Sequence, residues 1–315
     1  MEKIKSINPR VAIKRQQISD AINNPEQNLI SVIGPCPLVD EPEIVSHEAI
    51  KKQRLEKSLE NLIVLDRQCF TKPRTNPADW QGLDSSDPET ALRIISDLSQ
   101  ARNNVSAEVR FEENIDKYSD LLSMVWTGAR NIDDYNLIRL LAENDPSLPI
   151  GIKNGLDGDI ELAVDHVNYI NMMRPSGSAP AVLIYRGGDN AKSPKSSANM
   201  YKRAYDATNG RIIRDNAHGV EMAHSISGDY TKSIEGQIEA SLATIDLARQ
   251  GYPPLGVMYE ASELESIMDP HMPLETALLH TELIYKEKIG KPIVSRLVEF
   301  SNLPTHGFGS SLSVR

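Results

Sequence analysis

The chain has few of the residues from which disulfide frameworks, membrane spans and secretory signals are built. Two of its 315 residues are cysteines, Cys36 and Cys69, which are too few for a disulfide framework. No run of about 18 apolar residues occurs, so no membrane-spanning helix is expected. Residues 1–17 are polar and basic and lack the apolar segment of a secretory signal. We therefore expect a protein of the reducing cytoplasm, without a membrane partner.

Aromatic residues and excess positive charge are also scarce. Phe, Trp and Tyr make up 5% of the sequence, so aliphatic side chains must fill most of the core. The formal net charge of -10 argues against a general nucleic-acid-binding surface. A cluster of basic residues in such an acidic chain therefore indicates a local binding site.

Apolar runs rich in branched residues alternate with helix-favouring stretches, after a first helix predicted near Ala21. This alternation predicts an α/β protein made of parallel βαβ units. Eight units without a linker-like break predict a closed (β/α)8 TIM barrel over residues 29–300. Residues 1–28 then form a short N-terminal extension and residues 301–315 a C-terminal tail, and a doubly wound open sheet is the alternative fold. The predicted strands are 29–36, a run from residue 62, 105–111, 123–130, 149–155, 181–188, 210–218 and 254–260.

A basic cluster follows the second predicted strand. The apolar run of residues 62–65 precedes Arg67, Lys72 and Arg74, and Pro73 stiffens the loop between the last two. Three cations this close repel one another unless an anion neutralises them. Phosphate is the natural counter-ion, because Arg binds it with two parallel N–H groups and Lys with a point charge. The alternative interpretation is a solvated basic loop.

Polar residues that could bind ligands or take part in catalysis lie at the end of every predicted strand, where the active site of such a barrel lies. Cys, His, Glu and Asp among them would suit a divalent transition metal such as Mn²⁺, Fe²⁺, Co²⁺ or Zn²⁺. Cys36 could instead be a small core residue and His218 a satisfied polar one. Glu260 directly after an apolar strand requires a metal or an arginine. The residues in chain order are Cys36, Arg67, Lys72, Arg74, Thr75, Glu108, Arg110, Arg130, Lys153, Asn154, Arg186, Asp215, His218, Glu260 and Asp269.

Short motifs at these positions resemble those of one family, the type I 3-deoxy-7-phosphoheptulonate (DAHP) synthases. They occur in the family's order between about residues 30 and 270, and their combination is highly specific. The motifs are GPC at 34–36, Arg67 with KPRT at 72–75, GAR at 128–130, KNG at 153–155 with DG at 157–158, RGG at 186–188, the pair Asp215 and His218, VMYE ending at Glu260, and SIMD ending at Asp269.

The resemblance implies a metal-dependent enzyme of the shikimate pathway, a transferase that condenses phosphoenolpyruvate with erythrose 4-phosphate in aromatic amino acid biosynthesis or in a specialised pathway. It also implies a homo-oligomer, either a dimer or a tetramer. Lys72 and His218 would be the catalytic residues, and Lys72 or metal-bound water would handle protons. By the same resemblance, the metal ligands would be Cys36, His218, Glu260 and Asp269, phosphoenolpyruvate would contact Arg67, Lys72, Arg130, Lys153 and Arg186, and the aldose phosphate would contact Arg74 and Thr75.

The chain also departs from the family's motifs. It has GPCPLVD at 34–40 where the family usually has GPCS-x-HD, NPADW at 76–80 after KPRT, and AHGVE at 217–221 where SHANS is usual. These changes motivate two alternatives. One is a related synthase that joins phosphoenolpyruvate to a different aldehyde, and the other is a non-catalytic barrel that binds phosphorylated ligands.

Overall fold

The alternating segments of the sequence fold into strands and helices in succession. The structure, a computed structural model, describes residues 7–35, 42–68, 87–102, 104–110, 112–188, 194–218, 230–263 and 272–290. The strands are β1 (Leu29–Gly34), β2 (Leu62–Gln68), β3 (Val105–Val109), β4 (Met124–Thr127), β5 (Ile150–Lys153), β6 (Ala181–Tyr185), β7 (Ile212–Asp215), β8 (Gly256–Ser262) and the two-residue β9 (Met272–Pro273). The helices are α1 (Pro9–Asn23), α2 (Pro42–Ser58), α3 (Pro88–Arg102), α4 (Glu112–Tyr118), α5 (Tyr135–Glu143), α6 (Glu161–Met173), α7 (Pro194–Ala207), α8 (Tyr230–Arg249) and α9 (Leu274–Lys288).

Strands β1 to β8 form a closed parallel barrel. Each strand pairs with the next along the chain, and β1 also pairs with β8, with Gly34 opposite Glu260. This last pairing closes the sheet and excludes the doubly wound open alternative. The predicted (β/α)8 barrel is therefore confirmed, and β9 adds a short parallel pairing to the end of β8.

The barrel interior is an aliphatic core with one large aromatic side chain. Alternate residues of a strand point to opposite faces, so each strand contributes every second residue to the interior. Trp126 is fully buried there, and Ile18 and Ile22 of α1 belong to the same cluster. Helix α1 therefore supplies part of the interior packing. The strand residues of this cluster are Ile30, Val32, Ile63, Leu65, Met124, Trp126, Val182, Ile184, Ile213 and Met258.

Helix α1 is longer than the sequence predicted and is tied to the barrel by a buried arginine. It begins at Pro9, after Asn8, whose side chain accepts a hydrogen bond from the Arg10 amide. The Arg15 guanidinium, 1% exposed, donates to the Leu122 carbonyl at 2.9 Å and to Asp145 Oδ2 at 2.6 Å. An arginine so deeply buried requires such partners, because an unpaired buried charge costs several kcal/mol.

Two other local features are the N-terminal cap of α5 and the position of Arg67 in β2. Asp134 caps α5, because its side chain accepts from the Leu137 amide at 3.1 Å. Arg67, predicted to follow the second strand, lies within β2. Among the helices of the described ranges, none combines the length and hydropathy that crossing a bilayer requires.

Candidate functional site

The inward-facing side of the barrel wall changes from apolar to charged at the C-terminal ends of the strands. In four strands, the last apolar residue of the interior cluster is followed two positions later by a charged residue. Residues two apart share a face of a strand, so these charged side chains point into the same interior. The pairs are Leu65 and Arg67, Ile184 and Arg186, Ile213 and Asp215, and Met258 and Glu260.

A buried salt bridge joins two of these strands across β1. Arg67 Nη2 lies 2.7 Å from Glu260 Oε1, and Arg67 Nη1 donates to the Pro35 carbonyl at 2.8 Å. Arg67 is 2% exposed and the Glu260 side chain 9%. The sequence predicted that the Glu260 carboxylate requires a metal or an arginine, and in the structure it pairs with Arg67. The Pro35 carbonyl, directly after β1, and Glu260 of β8 together fix the orientation of the guanidinium.

A second charged cluster is centred on Asp215, at the end of β7. Its Oδ2 atom accepts from Lys153 Nζ at 2.8 Å and lies 2.9 Å from His218 Nδ1. Its Oδ1 atom accepts from the Ala217 amide at 3.0 Å. Burial alone would raise the pKa of Asp215, but the charges of His218 and Lys153 outweigh it and hold this pKa well below its usual value. The Asp215 carboxylate is therefore ionised.

His218 connects the two clusters. Its Nε2 atom lies 3.5 Å from Glu260 Oε1, while Nδ1 faces Asp215. A continuous line of ionisable side chains thus crosses the mouth of the barrel. It runs in the order Lys153, Asp215, His218, Glu260 and Arg67.

The KNG and RGG motifs pack against each other. The Asn154 side chain accepts from the Arg186 amide at 2.8 Å and donates to the Gly187 carbonyl at 3.0 Å. A Cβ at Gly188 would lie 2.7 Å from the Gly158 Cα atom, so the two backbones approach too closely for any side chain. Asn154 therefore joins the ends of β5 and β6, which carry Lys153 and Arg186.

The GAR motif leaves room for a carboxylate. A Cβ at Gly128 would lie 2.4 Å from Glu108 Oε1, so the Glu108 side chain of β3 occupies the space above Gly128. Arg130 follows on the short 3-10 turn Ala129–Asn131 and is exposed. The structure thus places Glu108 beside the motif that carries Arg130.

The structure brings together part of the predicted site. Arg67, Lys153, His218 and Glu260 belong to one connected line, and Arg186 is joined to the end of β5 through Asn154. Asp215, Asn154 and Glu108, which the sequence analysis placed at strand ends without assigning them a role, also take part in this arrangement. For two of them the spacing indicates that they face the interior, because Asp215 follows Ile213 and Glu108 follows Ser106 by two positions on one strand face. Cys36, Lys72, Arg74, Thr75 and Asp269 lie outside the described residues.

The described donors fit one part of the predicted metal site. In the ranges that the structure describes, no group of three or more His, Cys, Asp or Glu side chains is arranged to hold a metal ion. His218 and Glu260 do converge, with donor atoms 3.5 Å apart. Because the ionised Asp215 carboxylate can only accept, His218 Nδ1 carries a proton. The Nε2 atom on the other side of the ring faces the Glu260 carboxylate, so the two groups are placed to coordinate one metal ion together.

The chain is similar in sequence to known proteins over most of its length. The DAHP synthetase I family matches the chain over residues 10–267. The phenylalanine-inhibited phospho-2-dehydro-3-deoxyheptonate aldolase of Saccharomyces cerevisiae is 27% identical over 282 residues, which span 81% of this chain and 75% of that protein. The phospho-2-dehydro-3-deoxyheptonate aldolase of Corynebacterium glutamicum is 28% identical over 257 residues, 72% of this chain and 67% of that protein.

A solved structure is similar in fold. The phospho-2-dehydro-3-deoxyheptonate aldolase of Francisella tularensis superposes with a TM-score of 0.71 at 18% identity, covering 90% of this chain and 92% of that one. At this identity the likeness concerns the barrel alone. The family match over most of the sequence carries the assignment: this chain belongs to the DAHP synthetase I family.

Proposed function

We propose that the chain catalyses the metal-dependent condensation of phosphoenolpyruvate with erythrose 4-phosphate to give DAHP and phosphate. The observation that carries this proposal is the line of ionisable groups from Lys153 to Arg67 at the barrel mouth, in which every member except the partly exposed His218 is buried. Burying so many charges has a large desolvation cost, and such clusters are typical of functional sites. Membership of the DAHP synthetase I family supports the same reaction class.

Phosphoenolpyruvate is the substrate assigned to two cations of this line, Arg67 and Lys153, and to Arg186, which Asn154 joins to the end of β5. Its phosphate and carboxylate groups suit Arg67, Lys153 and Arg186, because guanidinium and ammonium groups form short charge-assisted hydrogen bonds with such oxygens. Asn154 supports this role, since it joins the strand ends that carry Lys153 and Arg186. Arg130 and Lys72 are proposed as further contacts to phosphoenolpyruvate, and Arg74 and Thr75 as contacts to the aldose phosphate.

The proposed metal ligands are Cys36, His218, Glu260 and Asp269. A bound divalent cation such as Mn²⁺ or Co²⁺ supplies Lewis acidity that makes the aldehyde carbon more electrophilic. The hydrogen bond between His218 and Asp215 supports the proposed role of His218 as a metal ligand. Asp215 takes the Nδ1–H hydrogen bond and so directs the Nε2 lone pair toward Glu260.

In the proposed reaction, the enol carbon of phosphoenolpyruvate attacks the aldehyde carbon, water adds to the resulting cationic carbon, and phosphate leaves. Both substrates are anionic, so the positive side chains must first hold them together against their repulsion. The oxygen of the added water becomes the ketone oxygen as the C–O bond to phosphate breaks, so this water loses two protons, one to the new hydroxyl oxygen and one to the leaving phosphate. Lys72 is the residue proposed to move these protons, while His218 is proposed to hold the metal.

A related synthase that uses another aldehyde is the second candidate. The sequence around the proposed aldose contacts favours it, because NPADW at 76–80 and AHGVE at 217–221 differ from the family's usual residues. The residues assigned to phosphoenolpyruvate are the same in both candidates. Only the identity of the aldehyde separates them.

The test is phosphate release by the purified chain from phosphoenolpyruvate and erythrose 4-phosphate, before and after dialysis against EDTA. We expect release that disappears on chelation and returns with Mn²⁺ or Co²⁺. Equal turnover after exhaustive chelation would refute the metal dependence. Turnover with another aldose phosphate but not with erythrose 4-phosphate would favour the second candidate, and binding of phosphoenolpyruvate without turnover of any aldehyde would refute both.

A further inference from the structure

Three ionisable side chains lie buried on the outer side of the barrel wall, away from the line at its mouth. Lys52 and Glu48 belong to α2, and Asp66 belongs to β2. Lys52 is 2% exposed, Glu48 3% and Asp66 2%. Lys52 Nζ lies 2.9 Å from Asp66 Oδ1 and 3.7 Å from Glu48 Oε2. No step of the proposed reaction uses these groups, so their burial requires another explanation.

The cluster bridges β2 and β8 around the outside of β1. On the β8 side, Glu48 Oε1 accepts from Ser262 Oγ at 2.6 Å and from the Glu263 amide at 2.7 Å. On the β2 side, Lys52 holds Asp66. The two strands are neighbours of β1 on its opposite edges and have no direct pairing with each other. We name Glu48, Lys52, Asp66 and Ser262 the outer clamp.

The salt bridge between Arg67 and Glu260, on the inner side of the barrel wall, joins the same two strands at neighbouring positions. Arg67 follows Asp66 directly on β2, and Glu260 precedes Ser262 by two positions on β8. Between them, β1 ends at Gly34, where a Cβ would lie 2.2 Å from the Arg67 carbonyl oxygen. With no side chain from Gly34, Arg67 and Glu260 meet directly inside the barrel, and the outer clamp holds their strands from outside.

We propose that Lys52 and Glu48 are positioning residues that set the separation and register of Arg67 and Glu260. This inference rests on the proposed function for its catalytic consequence, though its geometric part does not. A buried ion pair is a poor source of stability, since apolar residues of similar volume often stabilise as well or better. Charged groups can instead impose one geometry, because only one arrangement satisfies all of their hydrogen bonds. A displacement of about 1 Å in a positioned group can cost about a hundredfold in rate.

The first experiment compares Lys52→Met with Lys14→Met. Lys14 of α1 forms a salt bridge of 2.9 Å with Glu56, which lies on the same helix as Lys52, α2. We expect Lys52→Met to lower kcat/KM for phosphoenolpyruvate at least about tenfold at a temperature where it remains folded. Lys14→Met should stay within about twofold of wild type, and Lys52→Arg should recover much of the loss. Equal activity of the two methionine variants would overturn the proposal.

The second experiment measures geometry and does not depend on activity. In a crystal structure of Lys52→Met, the distance from Arg67 Nη2 to Glu260 Oε1 should exceed its present 2.7 Å by about 1 Å or more. An unchanged distance would overturn the inference even if the enzyme proved active. If wild type turns over no aldehyde, the proposed function fails while this distance still tests the outer clamp.

A third variant guards against failure to fold. Lys52→Met leaves two buried carboxylates, so the triple variant Lys52→Met, Glu48→Gln, Asp66→Asn removes every charge of the cluster together. We expect it to fold and to retain the kinetic defect of Lys52→Met. Wild-type kcat/KM in the folded triple variant would show that the charges position nothing.

Discussion

Lys153 and His218 contact the same oxygen atom of Asp215, at 2.8 Å and 2.9 Å from Oδ2 respectively. The shared oxygen connects a residue at the end of β5 with one that follows β7. One side therefore holds an ammonium group assigned to phosphoenolpyruvate, and the other holds an imidazole assigned to the metal. The sequence analysis placed Asp215 at a strand end without assigning it a role, and the structure places it at the centre of the line of ionisable side chains.

Asp215→Asn should weaken metal binding without unfolding the chain. An amide can donate as well as accept, so it no longer fixes the proton on His218 Nδ1. Loss of such a partner behind a metal ligand typically lowers metal affinity about ten- to hundredfold. Titration calorimetry with Mn²⁺ measures the effect. Asp246→Asn, at an exposed ion pair with Arg249 on α8, is the control, and an Mn²⁺ affinity equal in both variants would contradict the role of Asp215.

Arg186→Ala should chiefly weaken binding of phosphoenolpyruvate. The loss of a hydrogen bond to a charged group is worth about 1.5–3 kcal/mol, which corresponds to a KM raised about ten- to hundredfold. Steady-state kinetics with phosphoenolpyruvate varied gives this value. Arg203→Ala removes an exposed arginine that pairs with Glu161 and should leave KM unchanged. If Arg186→Ala also leaves KM unchanged, Arg186 does not contact the substrate.

His280 makes stability depend on pH in the mildly acidic range. Burial lowers the pKa of this histidine to about 4, against 6.5 in its ordinary state. Above pH 6.5 the side chain is neutral in both folded and unfolded chains. As pH falls from 6.5 toward 4, only the unfolded chain takes up the proton, so the free energy of unfolding decreases.

The decrease from His280 should reach about 3 kcal/mol by pH 4, at about 1.4 kcal/mol per pKa unit. Urea unfolding of wild type and His280→Gln between pH 7 and pH 4 measures it. The variant should lose stability less steeply as the pH falls, whatever its stability at pH 7. Parallel curves for the two proteins would show that His280 contributes nothing to this dependence.

Arg15→Met should destabilise the barrel through loss of the contacts that hold α1. The change removes hydrogen bonds to the Leu122 carbonyl and to Asp145, and leaves buried acceptors without their donor. We expect a loss of about 2–4 kcal/mol in the free energy of unfolding. Denaturant titration at pH 7 provides the measurement. Arg139→Met, at an exposed pair with Glu143, should change stability by less than about 1 kcal/mol, and a similarly small change for Arg15→Met would refute the anchoring role.

The barrel could be predicted from sequence because its evidence is local and repeated. Each predicted apolar run of branched residues contains a strand of the barrel. The start of α1 was missed because residues 9–17 are mostly polar, and only Val11, Ile18 and Ile22 reveal a buried face. The long-range contact of Arg15 with residues more than 100 positions away leaves no local pattern.

The candidate site was predictable in residue type but not in pairing. Motifs identified Arg67 and Glu260 as site residues, but their ion pair depends on which strands become neighbours of β1. The outer clamp was harder still to foresee. Lys52 lies in a charged stretch whose composition is typical of a solvent-exposed helix. Its contact with Asp66 depends on how α2 packs against β2. Such contacts follow from tertiary structure and leave no periodic signal.

A crystal structure with Mn²⁺ and phosphoenolpyruvate bound tests the central claim most directly. The account predicts Mn²⁺ at about 2.0–2.3 Å from His218 Nε2 and from a carboxylate oxygen of Glu260. It also predicts phosphoenolpyruvate oxygens within hydrogen-bonding distance of Lys153 and Arg186. Mn²⁺ bound away from His218 and Glu260, or phosphoenolpyruvate bound outside the barrel mouth, would contradict it.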